Sequence, residues 1–192
     1  MEGLQSSYSA AGNSKSGKMI YLKTQEEIEL IRESSLLVSK TIAEVAKEIR
    51  PGITTLALDK LAEDFIRDHG GVPAFLNYNG FPNSLCVSVN SQVVHGIPNK
   101  TELKDGDICS VDCGVLMNKF YGDSAYTFAI GEVDAKILRL MKITKECLQK
   151  GIEAAIGSAR IGDISHAVQN HAESNGRSEE HTSELQSPYV IS

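Results

Sequence analysis

The chain has no basic excess. Nineteen Lys and Arg stand against 25 Asp and Glu, a net charge of −6 over 192 residues, which argues against a nucleic-acid surface. None of its four cysteines, Cys86, Cys109, Cys113 and Cys147, forms a C-x-x-C pair. A chain this long and regular needs no disulfide scaffold, so reduced thiols and a cytoplasmic location are expected. No apolar run approaches the roughly 20 residues that span a bilayer, and no signal-peptide core follows Met1; no membrane partner is expected. No internal repeat is visible, which leaves out solenoids and arrays. What is present is a 41% apolar fraction, enough for a real core in one domain.

The two ends differ from the middle. Residues 1–18 (MEGLQSSYSAAGNSKSGK) are rich in Ser, Gly, Ala and Lys and lack apolar periodicity, which predicts a disordered extension. Met19 opens the first ordered-looking segment, so residues 1–18 read either as an upstream in-frame extension or as a genuine flexible tail. At the other end, RSEEHTSELQS (Arg177–Ser187) back-translates into a continuous stretch of a common high-throughput sequencing adapter, and residues 188–192 fit its continuation. Residues 177–192 are therefore expected to be a non-native tail with no part in function.

Between the ends the elements are legible. Thr24-Gln25-Glu26-Glu27 is a capping box, and Ile28, Ile31, Leu36 or Leu37, Ile42, Val45 and Ile49 recur behind it at helical spacing. Pro51-Gly52 ends that helix. A second helix is expected from about Thr55 to His69, closed by Gly70-Gly71. The period then falls to two: Leu85–Val89 reads as a strand and Val93–Pro98 as a strand running into a turn. Ile108–Leu116 and Phe120–Ile130 read as a hairpin. A helix capped by Asp134 should run to about Ile156, and a last one from Asp163 to Asn175-Gly176. Helices, then strands, then helices predict an α+β fold with an antiparallel sheet.

The chemistry sits on the hairpin. Asp112 interrupts an apolar strand, where an isolated carboxylate is costly. Asp123 sits on the return strand. With Met117-Asn118 as the loop, Leu116 faces Lys119 and Asp112 stands directly across from Asp123. Like charges there repel, unless a cation lies between them; hard divalent ions favour carboxylate oxygens. The pattern alone also allows Asp123 as a turn residue after Gly122, or a bulge that separates the pair. His95, in Val94-His95-Gly96-Ile97-Pro98, reads either as a functional side chain at an ordered turn or as a partly buried histidine bonded to backbone. His166 and His171, about 140° apart around a helix, do not share a face as a ligand pair would. His69 suits the end of a helix as a cation.

The strings SLCVSVNSQVVHGIP and DGDICSVDCGVLMNKFYGDSAYTF closely resemble stretches of bacterial type I methionine aminopeptidases, as do MIYLKTQEEIELIRES and GDISHAVQNHAESNG. The resemblance covers about Met19 to Gly176. It implies the N-terminal part of the pita-bread (creatinase/aminopeptidase) fold, an antiparallel sheet with helices packed on one side. It implies removal of the N-terminal methionine from nascent proteins, in the cytoplasm, by a monomer working near the ribosome and assisted by two divalent ions (Co, Mn, Fe, Zn or Ni). By position, Asp112 matches the family's first metal-binding aspartate and Asp123 its bridging one. His95 matches the histidine that contacts substrate near the scissile bond, and Tyr78, Phe81 and Cys86 match residues lining the methionine pocket, Phe81 standing where a tyrosine is frequent. The family completes its site with one histidine and two glutamates farther along. Residues 19–176 are therefore expected to be an incomplete catalytic domain, and the chain as it stands an inactive one. The competing reading is a pita-bread module that binds peptides or proteins without catalysis; such relatives usually lose the ligands kept here.

Overall fold

The computed structural model describes residues 21–177. The chain divides at Ile130 into two compact units. The expectations for residues 1–18, and for all of the 177–192 tail except Arg177, lie outside the described residues.

In the first unit, helix α1 (Gln25–Glu48) begins at the expected box: the Thr24 amide donates to the Glu27 carboxylate at 2.8 Å and the Glu27 amide to the Thr24 hydroxyl at 3.2 Å. Helix α2 (Thr55–Asp68) is capped by Thr54 and ends at His69, with Gly70 at φ +79°, a left-handed turn that glycine adopts without steric cost. His69 Nδ1 lies 2.8 Å from the Phe65 carbonyl. Strand β1 (Val72–Pro73) is followed by a 3-10 turn at Tyr78–Gly80 and by strands β2 (Leu85–Val89), β3 (Ile108–Met117) and β4 (Phe120–Ala129). All pairings are antiparallel. Strand β3 is central, with β4 along one edge and β1 and β2 sharing the other.

Alternation divides the sheet. Cys109, Val111, Cys113 and Val115 of β3 are fully buried and form one core with Leu37, Val38 and Val45 of α1, Leu58, Ala62 and Ile66 of α2, and Leu85 and Val87 of β2. This is the expected packing of helices on one side. The opposite face of β3 carries Ser110, Asp112 and Gly114.

Two expectations need correction. Val93–Pro98 forms no strand; it touches β2 through a single backbone bond, Val87 N–H to the Gly96 carbonyl at 2.8 Å. The apolar pair Val93-Val94 mimics a strand, but these residues are exposed, so burial never rewards the alternation. The hairpin loop is Asn118-Lys119, not Met117-Asn118, with φ of +53° and +70°. Positive φ at both central residues is the type I′ turn that matches strand twist. The register therefore slides by two, so Asp112 faces Ala125 and Asp123 faces Gly114.

In the second unit, α3 (Ala135–Ala154) is capped by Asp134 through the Lys136 amide at 2.7 Å. Helix α4 (Ile161–Ser174) starts two residues before the expected point; Asp163 lies in its first turn and accepts the Arg160 amide at 2.8 Å. Ile143, Cys147, Val168 and Ala172 make a small separate core. The Arg177 amide donates to the Ala172 carbonyl at 3.0 Å. Among the described residues no helix is long and apolar enough to cross a membrane.

All four cysteines are buried and none is in a disulfide. Burial pushes the Cys109 thiol up to about 12, helped by the charge of Asp107; burial likewise pushes Cys113 up to about 12, helped by Asp112 and Asp123. At pH 8 such a thiol is ionised about one part in 10⁴, against roughly a quarter for an ordinary cysteine. A disulfide reagent should therefore titrate less than one thiol per chain within minutes under native conditions and all four after denaturation. Fast native reaction of two or more would contradict this packing.

Candidate metal and peptide site

The two-residue slide keeps parity, so Asp112 and Asp123 remain on one face as diagonal neighbours on adjacent strands. Asp123 is exposed on β4, yet desolvation by the groups around it raises its pKa, and a side-chain hydrogen-bonding interaction with Asp112 opposes the rise. Two carboxylates in hydrogen-bonding contact share a proton when nothing else neutralises them; a cation would replace that proton. Neither the turn-residue nor the bulge reading of Asp123 holds, since β3 and β4 pair without a break.

Around the pair the sheet is built in rows. Cys86, 5% exposed, lies across from Asp112 on its other side. One step along, Ser88, Ser110 and Thr127 line up across β2, β3 and β4, with the Ser110 and Thr127 hydroxyls 2.7 Å apart. In the other direction Gly114 faces Asp123, and a side chain at 114 would meet the Phe75 ring at 2.6 Å. Phe75 therefore lies over the sheet beside Asp123, a placement the sequence reading missed.

The remaining expected residues come from loops. Tyr78, 60% exposed, opens the turn Tyr78–Gly80, and Phe81, half-buried, follows it. His95 is exposed, with φ +55°, so the reading of a partly buried histidine does not hold. Among the described residues no group of three or more His, Cys, Asp or Glu side chains could hold a metal ion. The two aspartates fit a divalent cation as donors, but by themselves they form only part of a coordination shell.

Asp59 was also missed. It lies on the buried stripe of α2 with Thr55, Leu58, Ala62 and Ile66, and an acidic residue on an apolar stripe was the available signal. Its carboxylate accepts from the Ser84 and Leu85 amides at 2.9 and 2.8 Å and from the Asn83 side chain at 2.7 Å. It thus anchors the loop of Tyr78 and Phe81 where that loop enters β2. Asp59→Ala would strand two buried amides, each costing about 1–3 kcal/mol. A destabilisation of about 3 kcal/mol in urea unfolding is expected, with faster chymotryptic cutting near Phe75–Phe81; a loss under 1 kcal/mol would sink the anchor.

Residues 29–186 match Metallopeptidase family M24. The chain belongs to family M24. The methionine aminopeptidase of Clostridium perfringens is 48% identical over 158 residues, which cover 82% of this chain and 64% of that protein. Methionine aminopeptidase 1 of Bacillus subtilis is 45% identical over 155 residues, covering 81% and 62%. The crystal structure of methionine aminopeptidase from Rickettsia prowazekii superposes with a TM-score of 0.81 at 38% identity, over 83% of this chain and 64% of that one. Prolidase from Pyrococcus furiosus, at 20% identity and a TM-score of 0.69, shares the fold alone. The chain thus spans a little under two thirds of the length of these aminopeptidases. The pita-bread fold expected from the resemblance is the M24 fold, and membership implies divalent metal cofactors.

Proposed function

We propose that this chain carries the first part of a methionine aminopeptidase site that removes N-terminal methionine from nascent chains in the cytoplasm. The observation that carries the reading is the Asp112–Asp123 pair, two contacting carboxylates on one sheet face beside Cys86 and Phe75. Asp112 and Asp123 would hold two divalent ions (Co, Mn, Fe, Zn or Ni) together with ligands from elsewhere in the full-length protein. When bound, such ions supply Lewis acidity and water activation near neutral pH.

The chain's own residues do the rest. His95, presented on an exposed loop, hydrogen-bonds to the substrate peptide next to the scissile bond, where a positioned donor stabilises charge that develops on oxygen. Cys86 forms the apolar floor of the methionine pocket. Phe81 and Tyr78 form its loop wall, and their partial exposure leaves them able to close on an unbranched thioether side chain.

The test is methionine release from a Met-Gly-type peptide, with metal binding followed by calorimetry. A full-length form extended as in the aminopeptidase relatives is expected to turn over in a metal-dependent way. The 192-residue chain, which has no group of three or more metal-binding side chains among the described residues, is expected to bind cobalt or manganese weakly and leave the peptide intact. A full-length form that binds metal but never releases methionine would refute the aminopeptidase reading and favour a peptide-binding module.

A further inference from the structure

His95 holds a backbone conformation that few residues other than glycine adopt. Such a conformation costs free energy and persists only where the surroundings impose it. Here they are specific. The Gly96 N–H donates to the Ser88 hydroxyl at 3.1 Å, and the Gly96 carbonyl accepts the Val87 N–H at 2.8 Å. The Gly96 N–H belongs to the peptide unit that leaves the His95 Cα, so its acceptor sets ψ of His95. With φ already left-handed, that fixes the direction in which the His95 side chain departs. The approach is too close for any side chain at 96: a Cβ there would lie 2.2 Å from the Val87 carbonyl oxygen and 3.0 Å from the Ser88 Cα.

Ser88 is itself well placed to carry this signal. It is 5% exposed, on the face of β2 that bears Cys86, and Cys86 stands across from Asp112. A buried hydroxyl on a strand of the carboxylate sheet thereby sets the backbone of a loop outside that sheet. We propose that Ser88 is a positioning residue, whose hydroxyl orients His95 relative to the Asp112–Asp123 face by accepting the Gly96 N–H. The proposal rests on the substrate-contacting role given to His95 above.

The experiment has a structural arm and a kinetic arm. In the 192-residue chain, Ser88→Ala should speed hydrogen exchange of the Gly96 amide at least tenfold and leave Cys113, in mid-sheet, protected; Ser88→Thr, which keeps the hydroxyl, should restore protection. In the full-length form, Ser88→Ala should lower kcat about tenfold with KM within twofold, and Ser88→Thr should recover most of it. In a His95→Ala background, Ser88→Ala should cost nothing further, because its effect passes through His95.

The proposal is overturned by unchanged Gly96 exchange or unchanged kcat in Ser88→Ala. It is equally overturned by multiplying losses in the double variant, or by Ser88→Thr as impaired as Ser88→Ala in both arms. If the unsubstituted full-length form releases no methionine, it is the aminopeptidase reading that has failed, and Gly96 exchange then decides the clamp alone.

Discussion

Asp123→Ala is expected to abolish metal-dependent methionine release in the full-length form while leaving the metal-free fold no less stable. Both halves follow from one feature. A residue that merely orients a metal ligand is worth 10- to 100-fold, so if Asp123 is a ligand as proposed above, its removal should cost more than about 100-fold. In the absence of metal the same carboxylate is a burden, because partial desolvation raises its pKa even though the side chain reaches solvent. A group with a raised folded-state pKa contributes stability that is fully present below its unfolded value, about 3.9 for aspartate, and lost as pH rises through the raised one. The metal-free chain should therefore be relatively more stable near pH 4 than near pH 7 at this site. Asp123→Asn should flatten that difference while keeping a hydrogen-bonding partner for Asp112. Urea unfolding of both proteins at the two pH values, without metal and with excess manganese, checks the sign. A variant that loses stability at neutral pH without metal would show that the pair is held together by something other than a missing cation.

Gly122→Ala is expected to destabilise the first unit more than any single methyl added elsewhere on the sheet. Gly122 is buried where β4 crosses α1. A Cβ there would come within 2.7 Å of the Ser34 carbonyl carbon and the Ser35 nitrogen, and 2.8 Å of the Ser34 oxygen. All three are helix backbone, which no rotamer change can move aside. The Ser34 hydroxyl, fully buried, marks how tight the crossing is: it lies 3.0 Å from the Phe120 carbonyl and 3.1 Å from those of Met117 and Leu30. Overpacking against side chains costs about 1–3 kcal/mol; against rigid backbone the upper end is expected, with α1 displaced and the Ser34 bonds lost. Loss of about 3 kcal/mol in urea unfolding, with faster exchange of the α1 amides nearest Ser34, is the predicted outcome. Gly157→Ala, at a position with open space around it, serves as the control and should change stability by under about 0.5 kcal/mol. Equal effects at 122 and 157 would mean that the crossing is looser than the structure shows.

What the sequence made legible was set by local physics. The capping box at Thr24, the stop at Pro51-Gly52 and the Asp134 cap are decided within a few residues, and each stands where expected. Same-face placement of Asp112 and Asp123 was legible because strand alternation is local too. Their exact pairing was not, because a two-residue loop can be drawn at either of two neighbouring positions, and only the backbone angles of Asn118 and Lys119 choose between them. Val93–Pro98 misled because apolar pattern was taken for burial. Ser88, Gly96 and Phe75 were out of reach: what each does depends on a neighbour eight to 39 residues away in the chain, and nothing in the local pattern marks it. Asp59 lay between these cases, visible as an acid on an apolar stripe but without its partners.

The turn at Asn118-Lys119 also limits how this hairpin can tolerate insertion and deletion. Moving the loop by one residue changed the pairing by two and left both aspartates on the same face. If the loop stays at two residues, so that the strands absorb the change, one residue inserted at the turn shifts the pairing by one and sends Asp112 and Asp123 to opposite faces. Two inserted residues return them to one face. An insertion taken up by the strands should therefore be felt as an odd-even rule at the carboxylate pair, although the turn begins six residues from Asp112, whereas an insertion taken up by the loop should leave the pair in place.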